Sequence, residues 1–252
     1  MAALKPVICL VHGAGHQRLH FRYLDHALLD RGLITTIPQL ATSGKDDASA
    51  TKTHLDDVAR VRDSLLPYLD RGHKAIIVGH SYGGRIVTQA AKGLTLEDRA
   101  ALGMPGGVVA LMYMAAFTEK DQPLTPEILG VPLEAIDPAT KLLRPEAAIE
   151  AMYHDIDHAR ASEAVALLQR QSRRDLEGPA VCKSADIHVP KRYIACRNDR
   201  VIGHTAQLQF AQEAGAEVVA ELDCGHSPWL RDDGIRAIVD AVVKLINQAG
   251  QL

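Results

Sequence analysis

The chain has 252 residues, 47% of them hydrophobic and 23% charged, a composition that excludes disorder and supplies a self-sufficient core. Its 28 basic and 31 acidic residues leave a net charge of −3, so there is no electrostatic case for nucleic acid or an anionic membrane as partner. Aromatic residues are 4%, too few for a base- or sugar-stacking platform.

In chain order, short apolar runs alternate with amphipathic stretches, the βαβα pattern of a parallel sheet. The runs are 6–13, 34–38, 74–80, 106–117, 189–197 and 216–223; most are continuous in Val, Ile, Leu and Ala, as strands covered on both faces require. Helical patterns fall at 20–31, 55–70, 82–93, 204–214 and 234–248. In the second of these, Leu55, Val58, Val61, Leu65 and Leu66 form an apolar stripe. Gly32, Gly72 and Gly215 stand just past helix ends, where a C-cap glycine belongs. Residues 118–187 break the rhythm: they show no convincing strand, carry six prolines and contain two helical stretches, 145–153 and 157–171. Such an insertion reads as a lid on a single domain (core 1–117 and 188–252), not as a second domain. Its apolar residues, among them Leu124, Ile128, Leu129, Val131, Leu133, Ile136, Leu142, Leu143 and Met152, point to an apolar group in whatever the lid covers.

Cys9, Cys182, Cys196 and Cys224 lie far apart without zinc spacing, and Cys9 and Cys196 read as buried free thiols. The apolar run before His12 is too short for a secretory signal and no run of 18 apolar residues occurs, so a cytoplasmic location is expected. Twelve histidines show neither HExxH nor ligand spacing, so neither metal nor other cofactor is expected.

Gly79-His80-Ser81-Tyr82-Gly83 is a GxSxG directly after an apolar strand and at the start of a helix, the context a nucleophile elbow requires. A serine needs a base. His226, in the loop Asp223-Cys224-Gly225-His226-Ser227-Pro228 past the last strand, opens on the same sheet edge as the elbow. The acid belongs between serine and histidine in the chain, and Asp199, just past the strand RYIAC, fits. Glu119 and Asp121 are rivals from the neighbouring loop, whereas Asp223 stands too near His226 and reads as a loop hydrogen-bonder. His12-Gly13-Ala14-Gly15 follows the first strand; the amides of Ala14 and Tyr82 are the expected oxyanion donors. A dinucleotide-binding turn is disfavoured, because GxGxxG is absent and no acidic residue ends the second strand. His12 and His80 flank the site and read as packed, hydrogen-bonded side chains.

Together LVHGAGH, VGHSYGG, LMYMAAFT, AMYHDI, YIACRNDRVI and CGHSPWL resemble the α/β-hydrolase fold superfamily, and within it the branch of small plant methylesterases, hydroxynitrile lyases and related microbial esterases. The resemblance implies an α/β-hydrolase fold with a mainly parallel six-strand sheet, helices on both faces and a helical lid inserted before the acid-bearing strand. It departs from the branch after HGAGH, where GlnArgLeuHisPhe replaces a tryptophan-containing segment. The lyases of the branch carry threonine where this chain has Gly13 and lysine where it has Ser227, so the likeness implies hydrolysis without cofactor. A small-molecule ester, a methyl ester or lactone among the options, is the expected substrate. A non-hydrolytic lyase or cyclase, or a ligand-binding receptor with a residual triad, is the alternative. Oligomeric state is open, a homodimer included.

Overall fold

The structure is a computed structural model and describes residues 4–118, 144–172 and 180–249. Strand β1 (Val7–Val11) is apolar and wholly buried, because its sheet is covered on both faces. A 3-10 turn at Arg18–Phe21 leads into helix α1 (Arg22–Asp30), and the chain then lays down β2 (Ile34–Thr36) beside β1. A two-residue strand β3 (Ser43–Gly44) precedes helix α2 (His54–Leu69), which starts at Thr53 with a capping box closed by Asp56. Val58, Val61, Leu65 and Leu69 face the core from α2, while Leu55, in its first turn, is 50% exposed and lies outside the expected stripe.

Strand β4 (Lys74–His80) crosses back to the other side of β1 and runs through Ser81 into helix α3 (Gly83–Ala91), all nine residues of which are buried. A short helix α4 (Leu96–Ala101) then leads to β5 (Gly107–Met114). It was not evident from periodicity, but Thr95 caps it by accepting the Asp98 amide at 3.1 Å. Helices α5 (Pro145–Met152) and α6 (His158–Ala166) follow, then β6 (Arg170–Gln171). The second expected helix thus stops at Ala166, and β6 is a strand where none was expected: Gln171 and Arg170 pair antiparallel with Ser43 and Gly44. That pairing is made with residues more than 120 positions away, so no local pattern signals it.

Strand β7 (Lys191–Cys196), helix α7 (His204–Ala214), edge strand β8 (Glu217–Leu222) and helix α8 (Asp232–Ala249) complete the fold. Exposure alternates along β8 rather than vanishing, as an edge strand with one open face dictates. Gly32, Gly72 and Gly215 take positive φ (68°, 91° and 66°) at the ends of their helices, as anticipated.

The six-stranded sheet has the order β2-β1-β4-β5-β7-β8, and all its pairings are parallel. Every strand therefore delivers its following loop to one edge. The chain moves from β1 outward to β2 and then back past β1 to β4, so the winding reverses between β1 and β4. A crevice at the carboxyl ends of those two strands is where a ligand site is expected in such a sheet. All four cysteines are buried and unlinked, and the sulfurs of Cys196 and Cys224 lie 3.6 Å apart. Among the described residues no helix is long and apolar enough to cross a membrane.

Candidate active site

Ser81 sits where β4 turns into α3 with φ of 53°, a left-handed conformation that costs a non-glycine residue about 1–3 kcal/mol. Close approach of the surrounding backbone holds the turn. A Cβ on Gly83 would lie 2.5 Å from the Val11 carbonyl oxygen, and one on Gly84 would lie 2.2 Å from that of Phe117. Hydrogen bonds then lock it: the Ser81 amide donates to Met114 at 3.3 Å, and the Ser81 carbonyl accepts from Phe117 at 3.1 Å and Gly84 at 3.0 Å.

His226 lies in the loop after β8, with its Nδ1 2.8 Å from Asp199 Oδ2. The histidine is 1% exposed and Asp199 7%, so little water competes for that bond. The remaining lone pairs of Asp199 are taken: Oδ1 accepts the amides of Val201 at 2.7 Å and Ile202 at 2.9 Å, and Oδ2 also accepts Gln207 Nε2 at 3.0 Å. Gln207, buried on α7, further ties the loop together through Cys196 and Ile202. No motif in the sequence marks Gln207, since a lone glutamine on a helix carries no spacing signal.

The anticipated Asp199 and His226 are thus in contact, and Ser81 stands at the elbow. Gly13 packs directly on Ser81: a Cβ at 13 would come 2.9 Å from the Ser81 Cβ and 3.1 Å from His80 Nδ1. Ala14 lies in that same turn after β1, and Tyr82 occupies the N-cap of α3, so both expected oxyanion donors belong to loops beside Ser81. Asp223 pairs with Arg197 at 3.0 Å on the surface, away from His226 Nδ1. Glu119, Asp121 and the apolar lid residues from Leu124 to Leu143 fall outside the described residues; Met152 is described and buried.

Buried imidazoles surround the site. His80 donates from Nε2 to the His226 carbonyl at 2.8 Å, and its ring lies 4.7 Å from that of His226. His12 accepts the Leu40 amide on Nε2 at 3.2 Å, and its Nδ1 lies 3.0 Å from the Gly13 carbonyl. Burial, as the main cause, lowers His12 and His20 each to about 4 and takes His16 and His80 well below the ordinary imidazole range. These rings are therefore uncharged at neutral pH, and of the imidazoles packed at the site it is His226 that meets a carboxylate. No motif role marks His16 and His20 in the sequence, where His16 directly follows HGAG and His20 stands four residues further on. Among the described residues no cluster of three His, Cys, Asp or Glu could hold a metal ion.

A parallel sheet with a strained serine at a strand–helix turn and a buried Asp–His pair in the loops after its last two strands is the architecture of α/β hydrolases. This chain belongs to that family: residues 10–241 match the alpha/beta hydrolase family. Over 98% of its length, and 98% of the relative's, it is 28% identical to the alpha/beta hydrolase nvfD of Aspergillus novofumigatus. Its fold is shared with a pyrethroid hydrolase from Sphingobium faniae JZ-2, at a TM-score of 0.75 and 21% identity over 99% of this chain and 100% of that one. It is likewise shared with the plant methylesterase MES16 from Arabidopsis, at a TM-score of 0.72 and 20% identity over 96% of this chain and 99% of that one.

Proposed function

We propose that this protein is a serine hydrolase that cleaves a carboxylic ester through an acyl-enzyme. The observation that carries the reading is the buried Asp199–His226 pair, 2.8 Å apart, in the loops that open on the same sheet edge as the strained Ser81. In this reading Ser81 Oγ attacks the carbonyl carbon and His226 Nε2 takes its proton, then delivers it to the leaving alcohol. Water repeats the sequence on the acyl-enzyme. Asp199 keeps the proton of the neutral imidazole on Nδ1 and stabilises the imidazolium. The amides of Ala14 and Tyr82 stabilise the tetrahedral oxyanion, a role in which one donor is worth about 10²–10³ in rate.

Two positions favour hydrolysis over cleavage of a carbon–carbon bond. The lack of room for a Cβ at Gly13 removes the side chain that the lyases of the branch carry there, and Ser227 offers no positive charge to a departing anion. The names of the relatives add an ester to the reading, and the apolar residues of the insertion favour an apolar acyl or alcohol group. The test is intact mass after a fluorophosphonate probe on wild type and Ser81→Ala. One adduct on wild type and none on the variant is the expected result; no adduct on folded wild type refutes an activated serine.

A further inference from the structure

Between α5 and α6 the chain makes a turn at Tyr153-His154-Asp155 that touches two loops of the site at once. The Tyr153 hydroxyl, 1% exposed with its residue, lies 2.9 Å from His16 Nε2, and His16 Nδ1 lies 2.9 Å from the Ala14 carbonyl oxygen. A carbonyl only accepts, so His16 donates from Nδ1 and its Nε2 accepts the tyrosine proton. The N–H of that same Ala14–Gly15 peptide donates to Gln171 Oε1 at 2.8 Å, and the Gly15 carbonyl accepts from the Gln169 amide at 2.7 Å. The peptide adjoining the Ala14 amide is therefore gripped on both sides by the insertion.

Two residues on, Asp155 Oδ2 accepts the Gly225 amide at 2.7 Å, one residue before His226. Arg231 holds the carboxylate from the other side at 3.3 Å and the Asp155 carbonyl at 3.1 Å. No slack remains there, because a Cβ on Gly225 would lie 2.7 Å from both Asp155 Oδ1 and His154 Cε1. The two loops so held follow β1 and β8, which three other strands separate in the sheet. The sheet alone does not set the distance between them.

We infer that Tyr153 and Asp155 are positioning residues: through His16 and Gly225 they fix the Ala14 amide and the His226 ring relative to Ser81. The inference rests on the ester-hydrolase reading above for its catalytic consequence, though not for the contacts themselves.

The experiment compares wild type with Tyr153→Phe, Asp155→Ala and Asp155→Asn, using p-nitrophenyl acetate turnover and hydrogen–deuterium exchange. Removal of one such hydrogen bond is expected to lower kcat about tenfold with KM within about twofold. Tyr153→Phe is expected to speed exchange in residues 13–17, and Asp155→Ala in 223–227. Asp155→Asn keeps an acceptor for the Gly225 amide and is expected to recover most of the loss. Unchanged kcat, a loss shared equally by Asn and Ala, or a loss without faster exchange in the matching loop overturns the inference. Should wild type neither hydrolyse the ester nor take up a fluorophosphonate, the hydrolase reading fails. Exchange then decides alone: loop-selective loosening upholds the strut, and none refutes it.

Discussion

Tyr82, the residue after Ser81, donates its hydroxyl to Asp57 Oδ2 at 2.8 Å, tying the serine turn to helix α2. The Asp57 carboxylate is fully buried and also accepts the Thr42 amide at 2.9 Å and the Thr42 hydroxyl at 2.6 Å. Desolvation raises its pKa, and the bonds from Thr42 and Tyr82 act the other way.

Replacing Asp57 with alanine removes the acceptor of three buried hydrogen bonds, each at a cost of about 1–3 kcal/mol. The expected outcome is a loss of about 3 kcal/mol or more, or roughly 6–12 °C in melting temperature for a domain of this size. Tyr82→Phe, which removes one donor and leaves the carboxylate its two others, is expected to cost about 1 kcal/mol. Calorimetric melts of the two variants check the ranking.

Asp199→Asn is expected to lower kcat by about 10⁴ with the fold intact, as in the serine-protease precedent. The reason lies in the two backbone amides, from Val201 and Ile202, that converge on Oδ1. That site must remain an oxygen, so the NH₂ of asparagine takes the place of Oδ2 and faces His226 Nδ1. The imidazole then accepts on Nδ1 and carries its proton on Nε2, where it cannot receive one from Ser81. Single-turnover acylation of the variant, with circular dichroism as the control, checks this.

The positive φ at Ser81 predicts a stability cost tied to function. Ser81→Ala keeps a Cβ in the strained conformation and is expected to melt within about 1 °C of wild type, without turnover. Ser81→Gly removes the strain, about 1–2 kcal/mol, against a chain-entropy cost of about 0.5–1 kcal/mol. Its melting temperature is expected to equal or exceed that of Ser81→Ala; a clearly lower one contradicts the strain.

Acid is expected to destabilise the fold well above the carboxylate range. His12 and His20 titrate at about 4 when folded, against an ordinary value of 6.5. Between those values the unfolded chain binds more protons, so stability rises with pH. The contribution is complete above about pH 6.5 and is lost as pH falls toward about 4, to the extent of about 3 kcal/mol per ring. Asp56 and Asp233, with lowered values, act in the same direction only below 3.8. Melts from pH 7.5 to 4 are expected to show the decline, and His20→Asn to reduce its slope by about 1.4 kcal/mol per pH unit.

The parts of the site that could be read from sequence are those whose signal is local. Ser81 announces itself through the glycines around it, and His226 and Asp199 through their place just past apolar strands. The rest depends on how the chain folds back on itself. Gln207 meets Asp199 only because α7 folds back over its own loop, and Tyr153 meets His16 across 137 residues. Strand β6 and the early stop of α6 belong to the same class: the pairing with Ser43 and Gly44 overrides a helical periodicity running to residue 171. Helix α4 is a different case, since its Thr95–Asp98 cap was present in the sequence but its six residues are too few for a periodic stripe.

The position of His226 beyond β8 also dictates when a growing chain can become active. During synthesis the Gly13–Ala14 loop and the serine turn are made early, and the proposed acid follows at residue 199. The proposed base emerges after the edge strand, and α8, which packs against the segment Pro228–Leu230 just past it, follows. A nascent chain therefore carries Ser81 through all the elongation from residue 81 to residue 226 before its proposed base is made. In the proposed mechanism, strand order alone keeps a growing chain inactive until the loop after β8 has been made.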